Sequence, residues 1–124
     1  MSGFEILKGK TIQSITGAKA GSEEILIETS DGRDYKMYHY QDCCESVSVE
    51  DIVGDIKDII GSEILLAEEV TSNQNPDGVK KEYQDSFTWT FYKLSTIKGS
   101  VTIRWYGESN GFYSESVYFE ELKI

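Results

Sequence analysis

An α+β domain is the fold class this sequence predicts: a twisted antiparallel sheet of about six to eight strands in two meanders, with one amphipathic helix packed on it. Three observations point there. Apolar and polar residues alternate through most of the second half, the period of half-buried strands. Asp31-Gly32 and Asn110-Gly111 are the dipeptides of tight hairpins. Between them, Ile52, Val53, Ile56, Ile59 and Ile60 recur at the spacing of a helical stripe. At 124 residues the chain fits a single domain, 1–124, large enough to bury a core without staples.

The elements follow in order. Phe4–Leu7 reads as a short leading strand, and Thr11–Thr16 as a second whose Ile12 and Ile15 are slightly out of step. Glu24–Thr29 is clearer, with Ile25 and Ile27 on one face. After Asp31-Gly32, residues 33–40 place Tyr35, Met37 and His39 on one face and Tyr38 and Tyr40 on the other. For the helix, Ser48 suits the N-cap, Glu50 and Asp51 suit the positive end of its dipole, and Gly61 stands where a helix stops. Gly54 inside it would cost about 1 kcal/mol relative to alanine, and suits close approach to a strand. Ile64–Val70 reads as a strand and Thr71–Asp85, with Asn75-Pro76-Asp77-Gly78, as a long loop. The last three strands, Phe87–Leu94, Ser100–Tyr106 and Phe112–Phe119, read as a meander joined at Lys98-Gly99 and Asn110-Gly111.

Charge is unevenly placed. Residues 42–69 hold nine acids and one base, a net of minus eight out of minus ten for the chain. That balance speaks against contact with nucleic-acid phosphates or an anionic membrane, and permits cationic partners. No apolar run approaches the roughly 20 residues of a membrane span. The start, MSGFEILKGK, has no apolar h-region, so a cytoplasm is the expected compartment. Two cysteines are expected as free thiols there.

Three constellations invite chemistry. His39, Asp42, Cys43, Cys44 and Glu45 are all metal-ligand types. Neighbours on a strand point to opposite faces, so the plainer reading puts one cysteine in the core and one at a corner; a metal, a redox role or a vicinal disulfide are the alternatives. Glu50, Asp51, Asp55 and Asp58 would line an acidic helical ridge, either a solvated face or a partner-binding surface. Arg104, Trp105, Asn110, Tyr113 and Glu115 surround the last turn and could stack and hydrogen-bond a small polar ligand. Arg104 points away from the Val101, Ile103, Trp105 face and is placed to pair with Glu115 or an anion. No nucleophile elbow, phosphate-cradling loop or histidine pair supports an enzyme.

The blocks YQDCCESVSVEDIVGDIKDIIG and TWTFYKLSTIKGSVTIRWYGESNGFYSESVYF resemble a family of small tailed-bacteriophage and prophage proteins catalogued as a domain of unknown function. The resemblance runs from about Gly9 through the last strand. It implies the cytoplasm of a bacterial host and transfers no catalytic residues. On this basis the chain is expected to be a non-catalytic binding protein, a counter-defence or host-takeover factor, without a cofactor. Its expected partner is a host protein or small polar metabolite. The alternatives are a small metalloprotein or enzyme on the His39–Glu45 segment, or a virion or assembly accessory. Strand edges and surplus tyrosines also suit a homodimer.

Overall fold

The computed structural model describes residues 3–76, 78–79 and 86–122. These contain eight strands: β1 (Ile12–Thr16), β2 (Glu24–Thr29), β3 (Asp34–Tyr38), β4 (Ser46–Val53), β5 (Leu66–Ser72), β6 (Ser86–Thr96), β7 (Gly99–Ser109) and β8 (Tyr118–Leu122). Two 3₁₀ turns, Phe4–Leu7 and Ile56–Ile59, complete the regular structure. There is no α-helix among the described residues, so the protein is all-β and the expected α+β class is overturned.

The strands pair antiparallel into two four-stranded sheets, ordered β1-β2-β3-β8 and β4-β7-β6-β5. Each sheet is a three-stranded meander completed by a strand lent from elsewhere: β8 lies beside β3, and β4 beside β7. The inner faces share one core. Ile12, Ile25, Ile27, Tyr35 and Met37 come from the first sheet, and Val49, Tyr92, Leu94, Ile103 and Trp105 from the second. Each such large side chain removed from water contributes roughly 1.5–3 kcal/mol. Phe4, Leu7, Ile59 and Ile64 join the same core from the 3₁₀ turns and a connection.

Several expectations hold. β2 has the expected bounds, and Gly32 takes the left-handed φ of 85° that the β2–β3 turn requires. The irregular phase of β1 is real: its register against β2 shifts between Ile12 and Ser14. Phe4–Leu7 is a 3₁₀ turn instead of a strand, because it buries Phe4 and Leu7 together against the core.

The expected helix is a strand followed by a turn. Val47, Val49 and Ile52 point inward from β4 with a register shift between Val49 and Asp51. One extra residue converts a period of two into a step of three and so imitates a helix in the sequence. The apolar residues here are all β-branched, which favours strands. Gly54 ends any helix: its φ is 105°, and a Cβ there would sit 2.5 Å from the Ser100 carbonyl oxygen of β7. Its expected close approach to a strand is therefore found, at a strand end. Asp55 then accepts the Lys57 N–H at 3.0 Å and caps the 3₁₀ turn.

The last hairpin also differs. β5, β6 and β7 form the meander, and residues 110–117 leave that sheet altogether. Phe112–Phe119 is not one strand; only Tyr118–Leu122 pairs, and its partner is β3. Phe87, Trp89 and Phe91 lie on the outer face of β6, while Val101, Ile103 and Trp105 face inward from β7. Of the expected loop after β5, residues 77 and 80–85 lie outside the described residues. No helix among the described residues is long and apolar enough to cross a membrane.

Candidate functional site

The chain crosses between sheets twice beyond the first meander: from β3 to β4 through residues 39–45, and from β7 to β8 through residues 110–117. The crossings are tied together by His39, whose Nδ1–H donates to the Ser116 carbonyl at 2.7 Å. The other ring nitrogen, Nε2, meets Glu45 Oε2 at 2.8 Å. A carbonyl can only accept, so Nδ1 carries a proton, and Nε2 faces the Glu45 carboxyl. The two side chains are 2% and 0% exposed.

Residues 41–45 wrap the Glu45 carboxylate. The Asp42 N–H donates to Oε2 at 3.0 Å and the Cys43 N–H to Oε1 at 2.9 Å. Gln41 Nε2 closes the loop on the Glu45 carbonyl at 2.6 Å. The His39 contact, aided by the backbone amides, outweighs burial and holds the Glu45 carboxyl at about 2, well below its ordinary 4.5. Cys43 and Cys44 are joined to each other by a disulfide, and both are exposed. The expectation of one core cysteine is thus overturned: the sulfurs lie on an outward corner, and the bond between neighbours is the alternative that the structure contains.

On the second crossing, buried Glu115 accepts from Thr88 Oγ1 at 2.8 Å and Ser109 Oγ at 2.6 Å. Thr88 also lines a cleft of about 710 Å³ between the two sheets. One wall is the inner face of β5 and β6, with Glu69, Thr71, Thr88 and Thr90; the other is residues 116–120. Glu5 and Glu120 also border it, and among the described residues no Lys, Arg or His does.

At this cleft lies an unusual pair. Glu69 and Tyr92 are cross-strand partners, and Tyr92 shares the β6 face of Thr88 and Thr90. Tyr92 is fully buried. Its hydroxyl and Glu69 Oε2 are both shut off from solvent and interact with each other. Burial, and then the hydrogen bond to Glu69, push the Tyr92 hydroxyl far above its ordinary range. Buried polar atoms are nearly always paired, and here the two groups serve one another. Tyr35 OH and Trp105 Nε1 are buried too; of these four residues Glu69 is the one that lines the cleft.

The expected constellations are redistributed. Of the ligand set His39, Asp42, Cys43, Cys44 and Glu45, only His39 and Glu45 meet. The two sulfurs are bonded to each other and a single histidine meets a single carboxyl, so these residues do not fit a metal. Glu50, Asp51, Asp55 and Asp58 share no ridge. Glu50 is the extra residue at the β4 register shift, Asp51 pairs with Arg104 across β7, Asp55 caps the 3₁₀ turn, and the Asp58 carbonyl accepts from Thr96. The acidic region is therefore partly neutralised within the molecule, by Arg104 and Lys93, the latter 4.0 Å from Glu68.

Around the last turn, Arg104 points outward as expected but finds Asp51 instead of Glu115. Trp105 is buried in the core. Asn110 accepts the Phe112 N–H at 3.1 Å and so serves its own turn. The Tyr113 carbonyl accepts from Ser109 at 3.4 Å. Only Glu115 reaches the cleft region, through Thr88. Glu69 and Tyr92 went unpredicted. The signal available was a carboxylate in the same strand phase as Ala67, which is buried.

The fold and site define a two-sheet β protein with an acidic, hydroxyl-lined cleft between its sheets. The chain belongs to the family described as domain of unknown function (DUF7448), whose model matches residues 5–119. No curated protein and no solved structure matches it.

Proposed function

We propose that this protein is a non-catalytic binding protein whose cleft takes a small organic cation with a primary ammonium group. The observation that supports this reading is the Glu69 carboxylate on the cleft wall, beside the hydroxyls of Thr71 and Thr90. An ammonium group has three donors. It would give one to Glu69, and the Thr71 and Thr90 hydroxyls could take the others. Glu5 and Glu120 add to the negative potential, with no cation among the described lining residues to cancel it. Tyr118 and Phe119 on the other wall offer ring faces to the charge or its alkyl chain.

The resemblance to tailed-phage and prophage proteins supports a bacterial host as the source of this ligand. Capture of a small host metabolite is then the form a counter-defence or host-takeover role would take. The acidic-surface route to a protein partner is less favoured, because Asp51 already has a cation of its own.

The test is calorimetric titration at low ionic strength with 1,4-diaminobutane. Saturable binding is expected, absent in Glu69→Gln and retained in Glu28→Gln, which alters an exposed strand position away from the cleft. No saturable heat, or equal heat in Glu69→Gln, overturns the reading.

A further inference from the structure

The cysteine pair is not used by the cleft, yet it is connected to it. The Cys43 N–H holds Glu45 Oε1 at 2.9 Å, Glu45 Oε2 holds His39 Nε2 at 2.8 Å, and His39 Nδ1–H holds the Ser116 carbonyl at 2.7 Å. Three hydrogen bonds thus lead from the disulfide-bearing peptide to a residue of the cleft wall. The His39 ring also stacks on Tyr118, with centroids 6.1 Å apart.

The Cys43 and Cys44 residues are exposed, so an incoming thiolate can reach the bond between them. The bond closes a small ring that locks the peptide joining residues 43 and 44. Opening it returns torsional freedom to a loop whose amides are what hold Glu45 in place.

We propose that Cys43–Cys44 is a reversible thiol–disulfide exchange site, and that its oxidation state is transmitted through Glu45 and His39 to Ser116 and Tyr118. The reductant is a dithiol. One of its thiolates attacks a cysteine sulfur, forms a mixed disulfide and expels the other cysteine as thiolate. Its second thiol then closes the reagent's own disulfide and expels the remaining cysteine. Two electrons and two protons pass to the protein, giving two thiols; a disulfide of the same class returns it. This inference is independent of what occupies the cleft.

The test uses the full chain purified in air. Intact mass after alkylation is expected to show no adduct before dithiothreitol and two after it. In amide and imidazole NMR spectra, reduction is expected to shift the His39 ring, Ser116 and Tyr118 signals as well as those of residues 42–45. In Glu45→Gln the shifts should stop at the loop. The double variant Cys43→Ser, Cys44→Ser should match the reduced spectrum and ignore dithiothreitol. Two adducts without reductant overturn the exchange site. Shifts confined to residues 42–45 in the native chain overturn the transmission.

Discussion

Arg104 grips Asp51 with a two-pronged contact, Nε to Oδ1 and Nη2 to Oδ2, each 2.5 Å. The residues face one another across β7 and β4, one position beyond the register shift. The guanidinium holds the Asp51 carboxyl below its ordinary value, and Asp51 in turn raises Arg104. Arg104 also lies over the outer-face Trp89 ring, 5.7 Å from its centroid.

Loss of this contact should weaken the fold. The Arg104 side chain is 19% exposed and Asp51 42%, so solvent screens the pair in part. We expect Asp51→Asn to cost about 1 kcal/mol, a fall in Tm of roughly 5 °C. Asp51→Lys should cost more, since it sets two cations together. Urea unfolding of Asp51→Asn, Arg104→Gln and the double variant should give a coupling energy of roughly 0.5–1 kcal/mol. Strict additivity would count against the pairing.

Acid should unfold the protein through Glu45. Its carboxyl sits at about 2 when folded against 4.5 ordinarily, so between these values the unfolded chain binds the extra proton. The stabilisation is complete above about pH 4.5 and is lost as pH falls toward 2. Asp31, held at about 2 by Lys10 and Thr29, loses its share in the same window. Urea midpoints at pH 7 and pH 3 should converge in Glu45→Gln relative to the native chain. That variant should also be weaker at pH 7, because it removes the carboxylate that the His39 ring and the Asp42 and Cys43 amides bind.

Gly54→Ala should be costly. The new Cβ meets the Ser100 carbonyl oxygen at 2.5 Å, and the backbone would hold alanine at a φ of 105°. Both effects act together, and we expect a loss of roughly 2 kcal/mol or more. Thermal unfolding should show it directly; a Tm within about 1 °C of the native value would contradict the packing.

Glu69→Gln should separate stability from binding. Glutamine keeps an oxygen that can accept from Tyr92 while the charge is removed, so Tm should hold while amine binding disappears. A large fall in Tm would mean that Glu69 supports the fold instead of a ligand.

Much of the strand order was legible because β2, β3, β6 and β7 alternate cleanly and Asp31-Gly32 sits in a true hairpin. What misled was a register shift at Glu50, which gave β4 the step of three that belongs to helices. Asn110-Gly111 was likewise a correct turn signal with the wrong consequence. Asn110 and Ser109 satisfy the turn locally, and only the distant contact of Glu115 with Thr88 shows where the chain goes next. His39 and Glu45 could be singled out because they are near in sequence. Glu69 and Tyr92 could not, because 23 positions separate them and cross-strand register alone brings them together.

The first sheet is finished only by the far end of the chain: β8 reaches β3 after the second sheet, whose four strands are consecutive, has been laid down. Residues 12–38 therefore make an incomplete sheet on their own. Ordering such distant partners before they reward one another makes for slow, all-or-none assembly, and a nascent chain stopped at residue 109 would leave β3 as an open rim for unrelated strands to join.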